Sequence, residues 1–109
     1  MILGVFLIAQ SLVLSVPSVI SAAGKAEVRV EVRIYVPPHS LNHSLGLVVI
    51  SETGKAHGST WRLNGIEEKW LIRWIMTYTL PPGEFVTQAT LYDGSRRILK
   101  RVTIRGVIK

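Results

Sequence analysis

Apolar and polar residues alternate without a break from Glu27 to Val36, EVRVEVRIYV. Val28, Val30, Val32, Ile34 and Val36 fall on one parity, and Glu27, Arg29, Glu31, Arg33 and Tyr35 on the other. Successive side chains of a β-strand point to opposite faces, so the stretch predicts a strand with one dry face and one wet face. A helix would scatter the same valines around its circumference, and β-branched side chains suit a pleated surface better than a helix. The dry face needs a second sheet to cover it.

The same pattern recurs downstream. Trp70 to Leu80, WLIRWIMTYTL, puts Trp70, Ile72, Trp74, Met76, Tyr78 and Leu80 on one heavily apolar side. Large aromatics bury about 150–250 Å² each, so this strand is expected opposite Val28–Val36 in the core. Leu45 to Ile50, LGLVVI, is a continuous apolar run, as for a strand buried on both faces or central in a sandwich. Thr60 to Leu63 reads as a short strand after a glycine-containing loop over residues 51–59, with Asn64-Gly65 as its turn. Phe85 to Tyr92 alternates again, and Asp93-Gly94 marks a hairpin into a return strand from Arg96 to Ile108. Ile98, Val102, Ile104 and Ile108 point inward there, whereas Lys100 breaks the parity, which predicts a bulge or an edge. Pro37-Pro38 and Pro81-Pro82-Gly83 separate strands, because proline cannot donate to a ladder. No helix-period segment follows residue 24. The expectation is an all-β chain, a small antiparallel sandwich of six or seven strands.

Residues 1–24, MILGVFLIAQSLVLSVPSVISAAG, carry no charged side chain. One reading is a secretory signal peptide, with Pro17 after the apolar run and small residues at Ser21 and Ala23 for cleavage before Gly24. A second is a retained membrane anchor, since about twenty apolar residues span a bilayer. A third is a buried hydrophobic element. The first two divide the chain into an N-terminal hydrophobic segment, 1–23, and a β-sandwich domain, 24–109, and place that domain at the cell surface or outside the cell. In that setting Asn42-His43-Ser44 is a candidate N-glycosylation sequon, with Asn42 as the acceptor.

The stretch from Trp70 to Ile104 reads W-x3-W-x3-Y-T-L-P-P-G-E-F, then an alternating strand, an Asp-Gly turn and a final strand. It resembles the last three strands of immunoglobulin-like and fibronectin type III modules. Phe85 stands where those modules often carry a tyrosine. The resemblance covers about a third of the chain and implies an immunoglobulin-like sandwich. It implies no particular function, because such modules host many.

The chain has 109 residues and no cysteine, which leaves room for one domain and excludes both disulfides and thiolate metal sites. Its net charge is +6, and all the lysines and arginines follow residue 24. Arg97, Arg101 and Arg105 share one parity near the C-terminus, with Lys100 beside them. If solvated, that strand makes a cationic stripe suited to an acidic glycan, anionic lipid or acidic protein partner. Nucleic acid is disfavoured, because the strand offers no aromatic stacking platform. His39, His43 and His57 with Met76 would make a metal site only if loops brought them together, and solvated loop histidines are the simpler reading. Glu67 and Glu68 are adjacent and point apart in a strand, so they make no catalytic carboxylate pair. There is no phosphate-cradling glycine loop and no nucleophile elbow.

No enzyme activity and no cofactor are therefore expected. The chain reads as a structural or interaction module, with one form of it a subunit of a surface assembly or filament in which the long first strand is donated to a neighbour. Its partner is then a protein, including further copies of itself. The alternatives are a membrane-anchored accessory subunit of an envelope complex, held by residues 1–23, and a module that binds acidic glycan or lipid through its basic last strand.

Overall fold

The computed structural model describes residues 12–36, 41–63 and 72–109. Eight strands occur among them: β1 (Val13–Ser15), β2 (Val19–Ile20), β3 (Val28–Val36), β4 (Ser44–Ser51), β5 (Ala56–Arg62), β6 (Ile72–Leu80), β7 (Gly83–Tyr92) and β8 (Ile98–Ile108). They form two sheets, one ordered β1-β3-β6 and the other β2-β8-β7-β4-β5. All pairings are antiparallel except β2 with β8. No helix occurs among the described residues, and none there is long and apolar enough to cross a membrane.

The alternation read from Glu27 to Val36 is the core of the smaller sheet: Val30, Val32, Ile34 and Val36 are completely buried, while Arg29, Glu31 and Arg33 are exposed. Leu45, Leu47 and Val49 of β4, with Phe85, Ala89 and Leu91 of β7, meet them from the larger sheet. Each of these side chains larger than alanine contributes about 1.5–3 kcal/mol by leaving water.

Three local expectations change or narrow. β6 does not face β3 across the core but lies beside it, Val30 pairing with Tyr78 and Ile34 with Trp74. Their apolar rows are in phase, so side-by-side pairing makes one dry face that the larger sheet covers; Trp70 and Leu71 of the expected strand lie outside the described residues. Of the two readings of β4, it is central, between β7 and β5, and not buried on both faces, because Val48 and Ile50 are exposed on its outer side. β5 starts at Ala56, inside the stretch expected to be loop, and its pairing with β4 carries Gly58 within the strand.

Residues 12–22, read as part of a signal, an anchor or a buried element, contribute a strand to each sheet, as the third of these requires. Leu14 pairs with Ile34, and Val19 with Val107. Pro17 lies at the crossing, where no ladder N–H is needed. Val107 N–H donates to Ser18 O at 2.9 Å, Lys109 N–H to Ile20 O at 2.8 Å, and Ala22 N–H to Lys109 O at 2.7 Å. Leu12, Leu14 and Ala22 are 4–6% exposed and belong to the single core cluster.

Candidate functional site

The outer face of the larger sheet is built by register. Arg62, Ser44, Tyr92 and Ile98 lie in one row across β5, β4, β7 and β8; Thr60, Gly46, Thr90 and Arg101 lie in the next; Gly58, Val48, Gln88 and Thr103 in the third. Two glycines in neighbouring strands leave a hollow where other side chains would stand. Tyr92 lies down over one of them, its Cε2 3.6 Å from where a Cβ on Gly46 would be.

Two contiguous depressions occupy this face. The larger, about 740 Å³, is lined by His43, Ser44, Thr60, Arg62, Tyr92, Gly94 and Arg96. The smaller, about 300 Å³, shares Thr60 and Tyr92 with it and runs past Gly46 and Gly58 to Thr90 and Arg101. Together they make one shallow groove with three arginines, several hydroxyls, one aromatic face and no carboxylate among the lining residues.

The cations are positioned by local structure. Arg101 Nε donates to Thr90 Oγ1 at 3.1 Å, which holds the guanidinium against the sheet. Gln88 Nε2 donates to Thr103 Oγ1 at 3.2 Å in the row below. Arg96 sits at the tip of the β7–β8 hairpin, where its N–H donates to Asp93 O and its φ is 63°. A three-residue hairpin loop wants glycine in that left-handed position, so an arginine there is held at an energetic cost. The Asp93 carboxylate is engaged within the loop: its Oδ1 accepts from Ser95 N–H at 2.8 Å and from Arg97 N–H at 2.9 Å.

The four basic residues singled out near the C-terminus do not form one stripe. Ile98 pairs with Tyr92 and Lys100 with Leu91, so Leu99 is an extra residue that resets the phase. Arg97 thereby falls in the hairpin mouth, off the face that carries Arg101 and Arg105. Lys100 is exposed beside the bulge its parity predicted. Arg105 keeps the expected face but lies towards the other end of the sheet, in a depression it shares with Glu52 and Glu84. Of the four, only Arg101 belongs to the carboxylate-free groove. Its companions, Arg62 and Arg96, come from a different strand and from the hairpin, and only cross-strand register shows that they converge.

Asn42 is 7% exposed and engaged with neighbours, against the surface position an N-glycosylation sequon requires. His43 lines the groove, whereas His57 lies inside the sandwich with its ring 5.7 Å from that of Tyr78. His39, Glu67 and Glu68 lie outside the described residues. No group of three or more His, Asp or Glu that could hold a metal ion occurs among the described residues. Trp61 and Trp74 pack at 4.9 Å between ring centroids and line the core rather than a surface site.

No family model and no curated protein matches the sequence. Among solved structures, the chain is similar to the CARDB domain of the PF1109 protein of Pyrococcus furiosus, crystallised in complex with di-metal ions. The two share 14% identity and a TM-score of 0.52 over 91% of this chain and 86% of that one. At this identity the likeness concerns the fold, and it supports the immunoglobulin-like sandwich.

Proposed function

We propose that the protein is a non-covalent interaction module of the cell exterior, and that its groove on the larger sheet recognises an acidic saccharide. The observation that carries the reading is the convergence of Arg62, Arg96 and Arg101 on a shallow, glycine-floored surface without a lining carboxylate. Arginine forks bind carboxylate and sulfate in a bidentate manner. Ser44 and Thr60 supply hydroxyls at the same surface, and the Tyr92 ring offers a flat face against which a sugar can pack.

The test is retention on immobilised heparin, with the Arg62→Ser/Arg96→Ser/Arg101→Ser variant as comparison. The variant should elute at clearly lower salt, because exposed charge contacts are screened as ionic strength rises. A Lys25→Ser/Arg29→Ser/Arg33→Ser variant removes the same number of exposed cations outside the groove and should elute at higher salt than the groove variant. Equal elution of the two variants would reduce the effect to net charge. Retention of the groove variant on phosphatidylserine vesicles, with loss on heparin alone, would separate saccharide from lipid headgroup recognition.

A further inference from the structure

We infer that residues 12–22 exchange between two copies of this chain, so that the segment of one copy completes the two sheets of the other. The segment is the only described part of the chain that belongs to both sheets, and only a tight turn joins it to the body. Lys25 N–H donates to Ala22 O at 2.9 Å, and the two central residues of that turn, Ala23 and Gly24, have φ of 50° and 77°. Glycine accepts such a conformation freely, whereas an alanine in the left-handed region is strained. Straightening the turn removes the strain and sends the segment away from its own body.

What the segment leaves behind is a defined receptor. It comprises the β3 edge that pairs with Val13–Ser15, the end of β8 that pairs with Val19–Ile20, and the apolar slot filled by Leu12, Leu14 and Ala22. A second copy carries the one segment that matches this receptor in register, in its switch between sheets at Pro17 and in its buried leucines. The exchanged form therefore keeps every contact of the closed one and changes only the hinge, which is the low-cost route to a dimer. β3 itself is not the donated strand, since it lies between β1 and β6 in its own sheet. Any export leader then ends upstream of Leu12, because cleavage before Gly24 would remove the donor.

The chain has no cysteine, so an engineered pair reports cleanly. Ser15 and Arg33 are register partners with exposed side chains. The full chain carrying Ser15→Cys/Arg33→Cys is oxidised over a range of concentrations and run without reductant, with Arg33→Cys alone as the background. A disulfide-linked dimer that rises with concentration above that background is expected. Adding Ala23→Gly should lower the exchange constant about tenfold per hinge, the left-handed alanine penalty converted to an equilibrium ratio. Adding Gly24→Val should raise it, because a β-branched residue resists that turn. Only intramolecular disulfide in all variants overturns the exchange. No disulfide at all overturns the docking of the segment, and an intact mass beginning at Gly24 would show why.

Discussion

The Phe85 ring lies across the backbone of Gly106, its register partner on the neighbouring strand. A Cβ on Gly106 would stand 2.8 Å from Cε1 and 3.1 Å from Cε2 of the ring. Phe85 is 2% exposed, so the ring has no free side to move into. Gly106→Ala should therefore destabilise the fold by about 1–3 kcal/mol, the range for overpacking a filled core. On a Phe85→Leu background the same substitution should cost less, because the smaller side chain gives way. Urea midpoints of the four proteins test this coupling, and additive costs would refute it.

Arg96 couples stability and binding with opposite signs. Its left-handed backbone is strained, so Arg96→Gly should raise stability by about 1 kcal/mol. The same change removes a groove cation and should lower the salt needed for elution from heparin. Thermal melts and elution read on one preparation separate the two effects. A variant that gains stability without losing retention would remove Arg96 from the binding surface.

Tyr78 gives the sandwich an alkaline limit. Burial pushes its pKa above the ordinary tyrosine value of 10.0, with Ser59 pulling partly the other way. The neutral phenol is favoured in the folded chain, so this contribution is fully present below the unfolded pKa. It is lost as pH rises through the folded one. Denaturant stability should thus fall above about pH 10, and Tyr78→Phe should flatten the fall. The hydroxyl is buried without a well-formed hydrogen bond among the described residues, so the substitution should change neutral-pH stability by no more than about 1 kcal/mol.

What the sequence shows of this fold follows from what a strand's own pattern encodes. The β3 face was legible because its alternation is unbroken, and all its inward residues from Val30 to Val36 are fully buried. The bulge before Lys100 was legible because one cation out of phase in an alternating strand demands an extra residue. β4 left two readings open because its outer face is also apolar, Val48 and Ile50 hiding the period of two. Residues 1–24 left three readings open because an uncharged apolar run looks alike whether it faces lipid or a protein core, and residues 12–22 follow the third, a buried element. The groove was mostly illegible: Arg62 and Arg101 are separated by two strands, and their meeting depends on registers that no single strand carries. The Arg97–Arg101–Arg105 stripe failed for the complementary reason, since the bulge that one parity count predicts also invalidates that count.

The most direct test of the account is a backbone amide NMR titration of the full chain with a heparin-derived hexasaccharide. The account predicts saturable shifts centred on Gly46, Gly58, Thr60, Thr90, Tyr92 and Arg101, with little change at Arg29 and Arg33 on the opposite sheet. Shifts centred on that opposite sheet, or none beyond those caused by matched salt, would contradict it.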